Sequence, residues 1–129
     1  MEHKIPHNLH YTASHEWLKD EGNGLYTVGI TDHAQHLLGD LVFVEVPELD
    51  GQVKIGEECA VVGSVKAASD VYSPISGKVV QVNETLSDHP EYINQFPYDQ
   101  GWIYKIKASH PEEIKKLLSS KEYQQEITE

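Results

Sequence analysis

Short apolar runs alternate with turn residues along most of this chain. The runs are of strand length, and glycine, proline, asparagine or aspartate bounds them at close intervals, which is typical of a β-rich sandwich or barrel. The predicted strands cover residues 15–19, 25–30, 41–47, 59–65, 68–74, 77–83 and 102–108. We therefore predict a mainly β fold.

Two of these runs allow a sharper prediction. Asn23 and Gly24 separate the first two strands, and this dipeptide favours a tight hairpin turn. The run 41–47 is nearly all apolar and stops at Pro47, so we expect a strongly buried strand that ends there.

A short helix is predicted directly after the second strand. Thr31 is a suitable N-cap, Ala34, Leu37 and Leu38 share one helical face, and Gly39 can close the end.

Helical signals also mark the C-terminal region. Ser109 is a candidate cap, Pro111 stands at an early helical position, and acidic residues follow in the first turn. We expect one helix or two to end the chain.

Length and charge limit the classes of function. The chain has 129 residues, of which 39% are hydrophobic, so we expect residues 1–129 to form a single domain with its own core. Its 21 acidic and 10 basic residues give a formal net charge of −11, and such a field repels phosphate backbones and anionic lipids. Nucleic acids and membrane surfaces are therefore not expected partners, whereas basic protein surfaces are.

Cysteine usage and the first residues bear on the compartment. The single cysteine, Cys59, excludes an intrachain disulfide and fits a reducing compartment, and its strand-like surroundings predict a small buried hydrophobe rather than a reactive thiol. The opening segment MEHKIPHNLHYT has neither an apolar run nor an arginine-rich amphipathic pattern. We expect a cytoplasmic protein, or one of the mitochondrial matrix if a transit peptide has been removed.

Histidine spacing raises the question of a metal site. His33 and His36 are three residues apart on the predicted helix, and Asp32 adjoins them. No third firm ligand lies near in sequence and the other histidines are scattered, so we predict no metal site.

Lys66 stands near the midpoint of an almost symmetric segment. Gly56 lies ten residues before it and Gly77 eleven after it, so pairing of the two arms would place Lys66 at a hairpin tip among small neighbours. A lysine in a turn is most often only a solvated charge. Here, however, the flanking strands are apolar, the turn lacks the usual Asn-Gly or Asp-Gly, and no second basic residue is adjacent. These features favour covalent acylation, which converts an exposed ammonium into a neutral amide without disturbing a core.

Four longer stretches occur in one order and span nearly the whole chain. They are HYTASHEWLK, YTVGITDHAQHLLGDLVFVEVPE, GSVKAASDVYSPISGKVVQVN and PYDQGWIYKIK. On these stretches the chain resembles the H proteins of the glycine cleavage system, a family of lipoyl carriers. Several ordered segments are far more specific than any single motif.

The resemblance implies a cofactor, a fold and a set of partners. Lys66 would carry lipoic acid through an amide, in a tight hairpin turn of a flattened barrel or sandwich of two antiparallel sheets with short helices. The chain would catalyse nothing by itself. It would carry an aminomethyl group from the pyridoxal-phosphate glycine decarboxylase to the folate-dependent aminomethyltransferase, and electrons to the flavin enzyme dihydrolipoyl dehydrogenase. A lipoylating enzyme is a further implied partner, and we expect a monomer.

The resemblance also implies a cradle for the loaded arm. The matching positions are Ser14, Glu16 and Asp70, whose polar groups would hold the amine of the cargo by charge-assisted hydrogen bonds. Taken without the resemblance, Ser14 is an ordinary turn residue, Glu16 an exposed strand position and Asp70 a turn acceptor.

Gly63 departs from the family pattern, which usually has a glutamate three residues before the lysine. The missing charge could alter recognition by the lipoylating enzyme, or the glycine could loosen the strand. Val65, Lys66 and Ala67 themselves match, so we expect modification to persist.

Three other functions remain open. The chain could relay lipoyl groups to other lipoate-dependent enzymes, or it could be an acidic interaction module with an unmodified Lys66. A biotinyl carrier would also present a lysine at a hairpin tip, but methionines usually flank that lysine, and here Val65 and Ala67 do.

Overall fold

Two antiparallel sheets make up most of the fold in the computed structural model, which describes residues 5–127. The larger sheet contains β1 (His10–Tyr11), β2 (Glu16–Gly22), β3 (Leu25–Ile30), β5 (Gln52–Val53), β8 (Gly77–Val82) and β9 (Tyr104–Ala108). The smaller sheet contains β4 (Leu41–Glu45), β6 (Glu58–Ser64) and β7 (Ala68–Tyr72). The predicted mainly β fold of two antiparallel sheets is confirmed, and the sheets form an open sandwich rather than a closed barrel.

Side chains from both sheets form one apolar core. The strand order is β1-β2-β3-β9-β8-β5 in the larger sheet and β4-β6-β7 in the smaller one. The core includes Leu18, Val28, Val79 and Ile106 from the larger sheet and Leu41, Val62 and Val71 from the smaller sheet. Each such buried aliphatic side chain contributes about 1.5–3 kcal/mol, so the core anchors the β6–β7 hairpin firmly to the rest of the fold.

The helix α1 (Asp32–Leu38) follows β3, as predicted. The Thr31 side chain accepts a hydrogen bond of 3.2 Å from the Ala34 N–H, and Gly39 ends the helix with a φ of 85°, a conformation that favours glycine. Leu37 is 60% exposed, so the apolar face of this helix is only partly covered by the core. The part of this apolar face that the core leaves uncovered lines a surface cavity.

Two short helices lie in a region for which we predicted no secondary structure. They are α2 (Thr85–Asp88) and α3 (Glu91–Gln95), and each buries a single apolar residue, Leu86 and Ile93 respectively. Helices of four and five residues show too little periodicity to be read from a sequence.

The C-terminal region has two helical segments, one of the two outcomes that we predicted. A 3₁₀ helix covers Pro111–Lys116 and α4 covers Ser120–Ile127. The predicted Ser109 cap is wrong, because His110 is the residue that precedes the first helical segment. Among the described residues, no helix is long and apolar enough to cross a lipid bilayer.

The prediction of a strongly buried strand over residues 41–47 is wrong. The strand β4 ends at Glu45, and Val42 and Phe43 are 54% and 40% exposed. The physical reason is its position, because β4 is an edge strand of the smaller sheet and only Leu41 reaches the core fully.

Candidate functional site

Lys66 lies at the tip of the β6–β7 hairpin, as predicted. The two strands pair in antiparallel register up to Gly63 and Ala68. The Ser64 side-chain oxygen accepts hydrogen bonds from the backbone N–H groups of Lys66 and Ala67, at 3.3 and 3.2 Å. Val65 is 92% exposed, so the tip projects into solvent. A serine therefore braces this turn in place of the usual Asn-Gly.

The Lys66 side chain passes close to the C-terminal end of α1. A Cβ atom built on Gly39 would lie 3.4 Å from Lys66 Cε and 3.9 Å from Lys66 Nζ. Gly39 therefore serves two purposes, because it ends the helix with a positive φ and leaves room for the lysine side chain. The amine of Lys66 starts beside the helix that forms one wall of the cavity described next.

A cavity of about 110 Å³ brings together the three predicted cradle residues, Ser14, Glu16 and Asp70. Its walls come from α1, from the β6–β7 hairpin and from the segment that leads into β2. The apolar side chains along it are Ile30, Ala34, Leu37, Leu38, Val62 and Val71. The cavity thus combines an apolar wall with five polar residues, which are Ser14, His15, Glu16, Ser69 and Asp70 and include two carboxyl groups.

Glu16 is held by a local network of hydroxyl groups. Thr12 and Ser14 donate hydrogen bonds to Glu16 Oε1, at 2.5 and 2.6 Å, and the Tyr72 backbone N–H donates to Oε2 at 3.1 Å. The segment turns back on itself because the Thr12 N–H bonds the Glu16 carbonyl and His15 has a φ of 74°. A carboxylate has about four acceptor sites, so one on Oε2 remains for a further donor.

The Glu16 carboxyl group is buried, with 1% of the residue exposed. Its interpretation as an exposed strand position, made without the resemblance, is therefore wrong. Burial raises the pKa of the Glu16 carboxyl, and the hydrogen bonds from Ser14, Thr12 and Tyr72 oppose that rise. A buried carboxyl with spare acceptor capacity is suited to bind a small cation.

Asp70 lies at the exposed rim of the same cavity. It also approaches Glu58 on the neighbouring strand, and a hydrogen bond with Asp70 and its charge raise the pKa of Glu58. Two carboxyl groups this close create a negative potential at the rim, which attracts a cationic group toward the cavity.

Two polar groups of the site were not predicted from the sequence. The Thr12 hydroxyl shares Glu16 Oε1 with Ser14, and the Tyr72 N–H reaches Glu16 from 56 residues away. The first has a local signal, since hydroxyl residues stand four and two positions before the glutamate. The Tyr72 N–H has no sequence signal, because any backbone N–H can donate to a carboxylate and the arrangement of the sheets decides which one lies close enough.

Gly63 is explained by its cross-strand neighbour. Phe43 is paired with Gly63, and a Cβ at position 63 would lie 1.9 Å from Phe43 Cε1. The ring of Phe43 therefore occupies the space that a side chain at position 63 would need. Gly63 is paired with Phe43 on one side and with Ala68 on the other, and the register of β4 against β6 shifts between Leu41 and Phe43, beside the first pair.

We expect Gly63→Ala to lower the free energy of unfolding by about 1–3 kcal/mol, because the Phe43 ring must leave its position. In the Phe43→Ala background the same substitution should have a much smaller effect. Urea unfolding of the four proteins in this double-mutant cycle measures the coupling. Additive effects would contradict the packing described for Gly63 and Phe43.

Cys59 is partly rather than fully buried. Its Sγ lies 3.3 Å from the Tyr104 hydroxyl oxygen, and burial raises the pKa of the thiol to about 11. The thiol is therefore protonated near neutral pH and is a poor nucleophile.

The histidines of α1 have neighbours of their own. The ring of His33 lies 4.8 Å from that of His15, and His36 Nε2 lies 3.5 Å from an Asp32 oxygen. Within residues 5–127, no three His, Cys, Asp or Glu side chains are grouped closely enough to hold a metal ion.

A β sandwich that presents a lysine on a braced hairpin, beside a cavity with polar residues, has the architecture expected of a carrier domain. The family model described as "Glycine cleavage H-protein" matches residues 9–129. The chain therefore belongs to the glycine cleavage H-protein family.

Individual relatives agree with this assignment over almost the whole chain. A glycine cleavage system H protein of Photorhabdus laumondii is 55% identical over 120 residues, which are 93% of this chain and 92% of that protein. One from Pseudoalteromonas translucida is 54% identical over 125 residues, 97% of each. The crystal structure of a glycine cleavage system H protein from Mycobacterium marinum matches with a TM-score of 0.89 and 38% identity, covering 97% of this chain and all of that one.

Family membership confirms three expectations from the sequence. The recognised family is the correct one, the chain is a component of the glycine cleavage system, and its role there is that of a carrier without catalytic activity of its own.

Proposed function

We propose that this protein is the lipoyl-bearing shuttle of the glycine cleavage system, with lipoic acid attached to Lys66. The observation that carries the proposal is the cavity that groups Ser14, Glu16 and Asp70 beside α1, the helix whose C-terminal end Lys66 approaches. A solvated turn lysine would need no such neighbour.

The residues of the cavity suit a lipoyl group in their chemistry. Its saturated chain is apolar, as are Leu37, Leu38 and Val62 along the wall, and an amine carried at its far end would match the carboxyl groups of Glu16 and Asp70. When bound, the strained dithiolane supplies both an electron acceptor and an attachment point for an aminomethyl group.

The residues of this chain then have separate tasks. Lys66 anchors the arm at the exposed tip, where a partner enzyme can reach it. Glu16, ordered by Thr12 and Ser14, accepts a hydrogen bond from the cargo amine, and Asp70 adds negative charge at the rim. The apolar wall excludes water, which would otherwise release ammonia and formaldehyde from the cargo.

The partners that we propose for this carrier are those that the family resemblance implies. They are the pyridoxal-phosphate glycine decarboxylase, the folate-dependent aminomethyltransferase, dihydrolipoyl dehydrogenase and a lipoylating enzyme. We propose that the protein acts as a monomeric single domain in the cytoplasm. Covalent attachment keeps the cargo at a high effective concentration whenever a partner docks.

The exchange of bicarbonate with the carboxyl group of glycine tests this role. Lipoylated protein together with the decarboxylase should support glycine-dependent incorporation of labelled bicarbonate, and unlipoylated protein should support none. If lipoylated protein gives no exchange, the glycine cleavage role fails. Transfer of its lipoyl group to another lipoate-dependent enzyme would then favour the relay function.

A further inference from the structure

Tyr123 on α4 contacts His15, a residue that lines the cavity, although the two are 108 residues apart in sequence. Its ring is fully buried and stacks on Tyr11, with 4.8 Å between ring centroids and 8° between ring planes. Its hydroxyl oxygen lies 2.8 Å from His15 Nδ1 and 2.7 Å from Thr31 Oγ1. The stack fixes where this hydroxyl stands, because a ring held on one face by another ring has little freedom.

The two partners of this hydroxyl belong to two different segments that contribute lining residues to the cavity. His15 stands between Ser14 and Glu16 and itself lines the cavity. Thr31 caps α1, the helix that supplies Ala34, Leu37 and Leu38 to the apolar wall. One phenol group therefore bridges the polar wall and the helical wall.

One assignment of protons satisfies every group in this bridge. The Ala34 N–H donates to Thr31 Oγ1, the Thr31 hydroxyl donates to Tyr123, and the Tyr123 hydroxyl donates to Nδ1 of a neutral His15. Burial lowers the pKa of His15, which favours that neutral form, although the Glu126 charge opposes the shift. The walls are also joined by a backbone hydrogen bond of 3.0 Å from the Thr31 N–H to the His15 carbonyl.

We propose that Tyr123 is a positioning residue that holds the two walls of the cavity at the spacing needed to enclose the cargo. The β2–β3 pairing and the Thr31–His15 backbone bond join the walls through the main chain. The Tyr123 hydroxyl adds a tie between the two side chains, His15 and Thr31. The inference rests on the proposed function for its consequence, since a loose cavity would admit water to the cargo. Its structural part, the tie between the walls, stands without that function.

The substitution Tyr123→Phe removes the tie and keeps the ring stack. Tyr11→Phe is the matched control, because it removes a hydroxyl from the other ring of the same stack, one that donates to the Pro6 carbonyl instead. Thr31→Val and Thr31→Ser form a second pair, since only serine keeps the hydroxyl that meets Tyr123.

The first readout is amide hydrogen exchange in the unlipoylated protein, at the N–H groups of Thr31 and Ala34. We expect exchange roughly thirtyfold faster in Tyr123→Phe than in Tyr11→Phe, the factor for the loss of two hydrogen bonds of ordinary net strength. At the Thr31 N–H, Thr31→Val should show the same acceleration and Thr31→Ser should not; the Ala34 N–H is not compared in Thr31→Val, because that substitution removes its own acceptor. Equal exchange in the two phenylalanine variants overturns the inference, whatever the protein carries.

The second readout is the first-order release of ammonia and formaldehyde from the glycine-loaded carrier, in which water breaks the bonds of the aminomethyl carbon to nitrogen and sulfur. We expect Tyr123→Phe to accelerate release severalfold and Tyr11→Phe to leave it unchanged. If Glu16→Gln accelerates release while Tyr123→Phe matches its control, the cradle stands and the positioning role of Tyr123 is overturned. If no variant alters release, the cradle itself fails, and the exchange measurement alone decides whether Tyr123 ties the walls.

Discussion

Lys66→Arg is expected to abolish glycine-dependent bicarbonate exchange, to the level of the decarboxylase alone. Arginine keeps the charge and the exposure of the hairpin tip, but its guanidinium stays protonated and cannot form the amide. The exposed tip makes no core contact, so the thermal midpoint should stay within about 1 °C of the unmodified wild type.

Lys54→Arg is the matched control for this substitution. Lys54 is also exposed and lies next to a glycine-containing turn, but it is outside the β6–β7 hairpin. Exchange should remain at the wild-type level in this variant. Exchange that survives in Lys66→Arg would show that the attachment point lies elsewhere.

The second large effect is expected for Glu16→Gln, which keeps the size of the side chain and removes its charge. A hydrogen bond to a charged group is worth about 1.5–3 kcal/mol, so release of ammonia and formaldehyde from the loaded carrier should be about 10–100 times faster near pH 7. Glu113→Gln is the control. Glu113 is another buried glutamate, it accepts hydrogen bonds from the Ser76 N–H and hydroxyl, and it lies outside the cavity.

The advantage of wild type over Glu16→Gln should depend on pH in a definite direction. Because burial raises the pKa of Glu16, its charge is lost as the pH falls through a range above the ordinary carboxyl value of 4.5. The difference in release rate between the two proteins should therefore shrink toward zero at a higher pH than an exposed glutamate would give. A difference that persists unchanged below pH 4.5 would contradict the role of the charge.

The raised pKa of Glu16 also makes the stability of the fold depend on pH. The folded chain holds the proton of Glu16 more tightly than the unfolded chain does, so protonation stabilises the fold. This contribution is fully present below pH 4.5 and is lost as the pH rises through the folded-state pKa. The ionised form of Glu16 therefore makes the fold less stable at neutral pH than the protonated form would.

The hairpin that carries Lys66 could be predicted because its signals are local. Apolar strands of matching length on either side and small residues at the centre require nothing from the rest of the chain. The caps of α1 are local in the same sense, since Thr31 and Gly39 act within one helical turn.

The exposure of β4 could not be predicted, because it depends on position in the sheet. An apolar run is the same in an edge strand and in a central strand, and only the pairing of β4 with β6 alone leaves Val42 and Phe43 open. The pairing of β4 with β6 also explains Gly63, because it places the ring of Phe43 where a side chain at position 63 would stand. Phe43 is 20 residues away in sequence, so this contact could not be predicted.

The residues of the candidate site had no such local signal of their own. Ser14, Glu16 and Asp70 came from a resemblance, and the residues alone favoured ordinary surface positions for all three. The burial of Glu16 arises from the return of the Thr12 segment and from the Tyr72 N–H, and the part played by Tyr123 arises from the docking of α4. Contacts over more than a hundred residues leave no periodic signal in the sequence.

The intact mass of the protein, produced in cells supplied with lipoate, tests the central claim most directly. Wild type should carry the added mass of one lipoyl amide, and Lys66→Arg produced in parallel should carry none. Wild type without that mass, or a lipoyl group that survives in Lys66→Arg, would contradict the assignment of this chain as a lipoyl carrier attached through Lys66.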